Sequence, residues 1–425
     1  MLMAISRYGP RVLPNTNQIV DACRRRGEMV RGPLVSEFER VFAARFGGER
    51  AVTASYGRMA FYYILKAFDL PRGSEIIFPA LTFWVVPEMA RVAGLKPVFA
   101  DIDSNTFNLG PTAFERAITP ETRAVVPTHL YGLACDMGPL MEIARKHGLR
   151  VIEDCAHSLG ATYKGRLVGT FGDAAFFSFQ TLKPLNTYGG GMALLRESDV
   201  GTRVAAMAGS EPWPSEKHVL SRLNRGRAER IFTRPRVFTW TGFPILWAAS
   251  WIGAHPDVYL WESIRLLTPL PEGYQERYTN VQAALGLEGL KFLDKWTEET
   301  RAHAQLMDDN LRGLPGVQVP VVPAERRHVY YQYCVYVPDR DNLVKRCIRQ
   351  GLDVETLHVD DCTRVKIFGP NLPIAPGADR AARAVQLPVY AALTDQQIAF
   401  VARTLKKVLA QTNQGSVAMV EGAQR

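Results

Sequence analysis

Between about residues 50 and 195, short apolar runs alternate with amphipathic stretches. The runs are Ala51-Val52-Thr53, Glu75-Ile76-Ile77-Phe78, Pro97-Val98-Phe99-Ala100, Ala124-Val125-Val126-Pro127, Val151-Ile152-Glu153 and Ala174-Ala175-Phe176-Phe177. Helix-compatible stretches lie between them, among them Arg58 to Phe68 and Pro139 to His147, the latter closed by Gly148 as a C-cap would be. Runs that stay apolar on successive residues predict strands buried on both faces. Their repetition with helices predicts an α/β fold, a mostly parallel sheet covered by helices on both sides. Ligands of such sheets gather at the carboxyl ends of the strands. His129, Tyr131, Asp154 and Ser178 each fall at, or just after, the end of a run.

The texture changes after about residue 270. A long amphipathic pattern from Tyr278 to Leu311 precedes two predicted strands, Val317 to Val321 and Tyr330 to Val337, and then mixed helix and strand signals to about residue 410. This predicts a large domain over residues 1–270, a smaller α+β domain over 271–410, and a polar, mobile tail over 411–425. A chain of 425 residues exceeds the size at which one core stops growing, roughly 250 to 300 residues, which agrees with two unequal domains.

Composition narrows the class. Cys23, Cys135, Cys155, Cys334, Cys347 and Cys362 are scattered without CxxC spacing, which argues against a disulfide framework or a zinc site and for a reducing compartment; no metal is expected. The first 30 residues lack an apolar core with a cleavage site, so a cytoplasmic location is expected. A net charge of +9 suits anionic partners such as phosphorylated substrates or acidic membrane surfaces. No zinc finger, RNP-type aromatic motif or basic helix with interleaved aromatics marks a nucleic-acid binder.

The chemistry centres on Lys183. It lies between the apolar run ending at Phe177 and the glycines Gly189-Gly190-Gly191, while Glu153-Asp154 ends another apolar run. A lysine so placed can hold an aldehyde cofactor as a Schiff base, and a carboxylate on a neighbouring strand end keeps the cofactor's ring nitrogen protonated. The pairing points to pyridoxal 5′-phosphate.

Val151 to Ala161, Gly169-Thr170-Phe171-Gly172-Asp173, and Phe177-Ser178-Phe179 with Lys183 and the glycine run together resemble the DegT/DnrJ/EryC1/StrS sugar aminotransferases. The resemblance extends through Gly57-Arg58, Pro79 to Phe83, Thr128 to Gly132 and Tyr278 to Ala284, and covers about residues 30 to 400. It implies a fold-type-I transferase acting as a homodimer with shared active sites. It implies that Lys183 binds the cofactor and moves the proton, that Asp154 pairs with the pyridinium nitrogen, and that His157 lies near the phenolic oxygen. Ser178 and the backbone amides of Gly57 and Arg58 hold the phosphate in this reading, with Phe83, or Trp84 beside it, stacked on the ring. His129, Tyr131 and His328 match substrate-contacting positions, against the plain alternative of polar residues at strand ends. Asp173 reads as a turn aspartate. Arg58 stands where the family often has Thr or Ser, Thr187-Tyr188 precede Gly189 where Gly-Glu is common, and Gln275 replaces an asparagine that reaches the partner's cofactor.

The segment from about Gly209 to Ser263 departs most. Lys217, Arg222, Arg225, Arg227, Arg230, Arg234 and Arg236 precede a 20-residue uncharged run, Val237 to Pro256, with Trp240, Phe243, Trp247 and Trp251. The length meets the criterion for a membrane span, but Gly242, Pro244 and Gly253 interrupt it. Two readings remain, an interfacial helix on the inner face of a membrane or burial in a dimer interface. The activity implied is transfer of an amino group from an amino acid, glutamate by expectation, to a keto sugar on a nucleotide diphosphate, for surface-polysaccharide or secondary-metabolite sugars. The alternatives are a membrane-associated aminotransferase acting on a lipid-linked or hydrophobic ketone, and a regulatory homologue without turnover.

Overall fold

The computed structural model describes residues 3–9, 11–252, 262–356 and 359–422, with side chains as far as residue 411. The end of the uncharged run, 253–256, and the last three residues of the expected tail lie outside them.

All six apolar runs are strands: β1 (Arg50–Ala54), β2 (Glu75–Pro79), β3 (Lys96–Ala100), β4 (Thr122–Val125), β5 (Arg150–Asp154) and β6 (Ala174–Ser178). The glycine run opens a seventh, β7 (Gly191–Leu195). The sheet order is β1-β7-β6-β5-β4-β2-β3. Only β7 is antiparallel to its neighbours, β1 and β6. The two-residue period of a strand sends alternate side chains into two separate cores. Ile77, Val151 and Phe177 pack on one face with Phe38, Phe42 and Phe46 of α1 (Leu34–Phe46). Ile76, Ile152 and Phe176 pack on the other with Met59, Phe61 and Ile64 of α2 (Gly57–Phe68) and with Val200 and Val204 of α3 (Ser198–Ser210). Burying such side chains from water contributes about 1.5–3 kcal/mol each. The sheet therefore holds its strand ends rigidly.

Three helices follow, α4 (Glu216–Phe232), α5 (Pro235–Trp240) and α6 (Gly242–Ile252). The amphipathic pattern from Tyr278 becomes α7 (Asn280–Leu311), and it serves both cores. Ala283, Leu290 and Leu293 pack in the large core, whereas Ala304, Met307 and Leu311 pack in the small one, which also takes in Ile5 near the N-terminus. The smaller body pairs β8 (Tyr333–Tyr336) with β9 (Ala384–Leu387) and is covered by α8 (Arg340–Arg349) and α9 (Asp395–Gly422). Of the strand expected over Val317 to Val321 only a bridge from Gln318 to Tyr336 forms, since Pro320 has no N–H to give a ladder. Helical backbone continues to Gly422, through most of the segment expected to be mobile. No helix among the described residues is long and apolar enough to cross a membrane.

Candidate active site

The ends of β5 and β6 and the start of α2 open into one cavity of about 320 Å³, walled by Gly57, Arg58, Phe83, Asp154, His157, Ser178 and Lys183 among others. Tyr56, the residue before α2, is extended at φ −148° and supplies no side-chain cap. The first turn of a helix has N–H groups without intrahelical partners and a partial positive charge, so this end of α2 is shaped for an anion. Two glycines set the geometry. A Cβ on Gly57 would lie 2.9 Å from the Phe177 carbonyl oxygen, and one on Gly191 would lie 2.3 Å from the Gly57 nitrogen. Without side chains there, the helix start seats directly beside Ser178.

Lys183 follows β6 in a turn closed by its N–H donating to the Gln180 carbonyl at 2.9 Å, and its Nζ stands 4.7 Å from the centre of the Tyr331 ring. Burial pulls its pKa from 10.5 to about 7, with Asp154 opposing and Arg58 adding to the fall. Asp154 accepts the Ala156 N–H at 3.0 Å, and burial raises its pKa to about 6 against that bond and the charge of Lys183. Near neutral pH the cavity thus offers an amine with a large uncharged fraction and an ionised carboxylate. Tyr331 also stacks on His157 at 4.2 Å.

Beneath the cavity, the motif residues serve the scaffold. Glu153 Oε atoms accept the backbone N–H groups of Gly169, Phe171 and Gly172 at 2.7–2.8 Å and face His129 Nε2 at 3.0 Å. The Cys135 N–H donates to His129 Nδ1, which places the imidazole proton on Nε2, towards Glu153. His129, Glu153 and Cys155 bring their donor atoms within 4.8 Å of one another, a spacing that could hold a metal, but the carboxylate and the imidazole are engaged in these bonds. Asp173 accepts the Val151 N–H and pairs with Arg150, as a turn residue would. The Glu153→Ala variant should therefore lose about 3–5 kcal/mol of stability, the usual cost of leaving buried partners unpaired, read as a lower denaturant midpoint. A second clamp holds the glycine run. Tyr278 donates to Thr187 Oγ1 at 2.9 Å, Gln282 Nε2 donates to the Gly189 carbonyl at 3.0 Å, and a Cβ on Gly190 would strike the Tyr278 ring.

The structure brings Gly57, Arg58, Phe83, Asp154, His157, Ser178 and Lys183 together, and leaves His129, Tyr131 and His328 out of the cavity wall. His129 is fully buried behind β5. Tyr131, in a short turn at φ 55°, is buried against Phe107. His328 stacks on Tyr330 at 4.0 Å and accepts that residue's N–H through Nδ1, and burial lowers its pKa to about 3. Trp84 is buried in the core beside the cavity, so of these two neighbouring aromatics it is Phe83 that lines the wall. Sequence reasoning missed Tyr331, Glu229 and Glu262. Arg58 adds a cation where a hydroxyl was expected; it pairs with Glu262 at 2.8 Å and lies over Phe83 at 5.5 Å.

A family model described as the DegT/DnrJ/EryC1/StrS aminotransferase family matches residues 12–220 and 252–406. The chain belongs to this family. A GDP-perosamine synthase of Caulobacter vibrioides is 30% identical over 389 residues, covering 89% of this chain and 91% of that protein. A protein of Geobacillus stearothermophilus named pleiotropic regulatory protein is 30% identical over 410 residues, covering 94% and 96%. The aminotransferase DesV of S. venezuelae, solved in complex with a ketimine intermediate, superposes with a TM-score of 0.74 at 26% identity, covering 92% of this chain and 94% of that one. This DegT/DnrJ/EryC1/StrS aminotransferase has the fold-type-I architecture and works with pyridoxal 5′-phosphate. Its residues fit that group: a helix start tightened by Gly57 and Gly191 suits the phosphate, and an amine and a carboxylate share the same cavity.

Proposed function

We propose that this aminotransferase moves an amino group from an amino acid, glutamate by preference, to a keto sugar carried on a nucleotide diphosphate. The observation that carries the reading is the meeting of Lys183 and Asp154 in one cavity with the anion-binding start of α2. When bound, the cofactor supplies an aldehyde that captures amines and a ring that takes up the electron pair of the substrate carbon. Lys183 Nζ takes the proton from the donor's α-carbon and returns it to the acceptor side, a task for an amine with a pKa near the working pH. Asp154 would hold the proton on the ring nitrogen. The Gly57 and Arg58 amides and Ser178 Oγ would hold the phosphate, Phe83 would stack on the ring, and His157 would lie near the phenolic oxygen. His129 positions Glu153 and the strand ends. Tyr131 lies beside His157 of the wall, and His328 stacks on Tyr330, the residue before Tyr331 of the wall.

The name of the Caulobacter relative supports a nucleotide-linked acceptor. The name of the Geobacillus relative favours a regulatory role as a second reading. A panel of nucleotide-linked 3-keto and 4-keto sugars, offered with glutamate, separates the two. The expected result is bleaching of the visible cofactor band by glutamate and a product carrying one added amine by mass spectrometry. No bleaching with any amino acid would favour regulation.

The pH dependence follows from Lys183. Capture of added cofactor by the apoenzyme should speed up as pH rises towards about 7, where the amine loses its proton, and level off above it, as read by stopped-flow absorbance.

Two further elements belong to this reading. The first is a homodimer, supported by the resemblance, although Gln275 stands where the family has an asparagine that reaches the partner. The second is peripheral contact with an anionic membrane surface through residues 237–252, where Trp240, Ile245, Trp247, Trp251 and Ile252 are exposed.

A further inference from the structure

The family model skips residues 221–251, the stretch that holds most of α4 with α5 and α6. These helices are anchored to the rest of the protein. Phe243 and Leu246 pack on the small core, the Arg349 guanidinium donates to the Ser250 carbonyl at 2.8 Å, and it lies 3.9 Å from the Trp251 ring centre. The opposite side of the insertion is apolar and open to solvent, with Trp240 67%, Ile245 71% and Ile252 82% exposed. From Glu216 to Ile252 the chain carries seven Lys or Arg against two Glu.

A second cavity, of about 350 Å³, takes Pro235, the first residue of α5, into its wall and shares no lining residue with the first. Arg11, Arg230 and Arg234 line it with Glu299, Trp296 and Tyr390. Arg11 is fixed by bonds to the Pro184 carbonyl at 3.3 Å and Thr300 Oγ1 at 3.4 Å. Among the described residues neither Arg230 nor Arg234 has an acidic partner. Three guanidinium groups against one carboxylate make a site for a phosphate-sized anion. Ile231 and Phe232, both exposed, follow Arg230 in the chain, and Arg234 and Pro235 of the cavity wall lead directly into the apolar helices. A basic cavity joined through the chain to exposed apolar helices has the two kinds of surface that a lipid presents.

We propose that the insertion docks this enzyme on an anionic bilayer and that the Arg11–Arg230–Arg234 cavity receives the phosphate of a phospholipid headgroup. This deepens the membrane contact proposed above. Tryptophans settle at the headgroup level, and each nearby cation adds attraction to an anionic leaflet. The docked face is coupled to the chemistry through adjacent residues of one helix, because Glu229 lines the cofactor cavity and Arg230 the anion cavity. Arg11, bonded to the residue after Lys183, is a second link.

The test uses the holoenzyme and vesicles of phosphatidylcholine with and without phosphatidylglycerol, with co-sedimentation as the readout. The wild type should bind phosphatidylglycerol vesicles and release from them as salt rises. R230Q/R234Q should bind about 10- to 30-fold more weakly, and W240A/W247A/W251A should lose binding, both keeping the cofactor band and its bleaching by glutamate. Equal binding of wild type to neutral vesicles, or full binding by R230Q/R234Q, would overturn the headgroup site. No vesicle binding by wild type would overturn docking altogether. If the tryptophan variant instead turned a dimer into monomers, the face would belong to a second copy of this chain and the proposal would fail. Displacement by inorganic phosphate as effective as that by phosphatidylglycerol would assign the cavity to a free anion, which also overturns it. Loss of bleaching in the wild type would count against the aminotransferase reading, whatever the vesicles show.

Discussion

Lys183→Ala should lower kcat by about 10⁴-fold, the upper range for removing a positioned proton-transfer group, since the same atom also binds the cofactor. Borohydride treatment of the wild type should leave the cofactor on the peptide that bears Lys183, and the variant should show no such adduct by mass spectrometry. Lys183→Arg distinguishes nucleophile from charge. It keeps a cation over the Tyr331 ring but offers no deprotonated nitrogen, so it should be as inactive as the alanine variant. Folding is not at risk in the alanine comparison. The Lys183 pKa falls from 10.5 to about 7 in the folded protein, so between those values the unfolded chain binds more protons, and wild-type stability rises with pH across that window. The alanine variant should lack this part of the rise and be at least as stable near pH 7. An adduct on a different lysine, or an active Lys183→Ala enzyme, would sink the assignment.

The strands and the residues at their carboxyl ends were legible because one physical signal, apolarity on successive residues, reports burial on both faces. That signal gave Asp154 and Ser178 their places, the position of Lys183 beside the glycine run paired it with Asp154, and the resemblance supplied the other residues around it. It could not say which way a polar side chain turns once a strand has ended. His129 and Asp154 both belong to strand ends, yet His129 points back to Glu153 while Asp154 faces the cavity. Tyr331 was hidden for a related reason: Tyr330 adopts φ 48°, a left-handed conformation that breaks the period of the predicted strand and turns the next ring to Lys183. Glu229 and Glu262 come from the segment of charge and tryptophan around the insertion, where composition told of surface chemistry but carried no distance to the site. The domain boundary near residue 270 was blurred by α7, whose unbroken amphipathic pattern cannot show that its two ends enter different cores.

Asp154→Asn carries the other large effect. The carboxylate, 4% exposed, is held at the end of β5 by the Ala156 N–H and keeps its charge above about pH 6. An amide of the same shape preserves packing and still offers an oxygen to Ala156, but it cannot hold a proton on the ring nitrogen as a carboxylate does. The expected outcome is retained cofactor capture at Lys183 with kcat lower by about 10²–10³-fold, the range for losing one electrostatic contact to developing charge, and with little change in KM for the amino donor. The wild-type rate should also fall on the acid side as Asp154 takes up a proton. Because a cationic ring beside it favours the ionised form, the limb in the holoenzyme should lie below the value of about 6 set by burial alone. In Asp154→Asn that limb should vanish, and in Asp154→Glu it should return with part of the activity. A variant that lost cofactor capture and rate together would show that Asp154 only shapes the cavity.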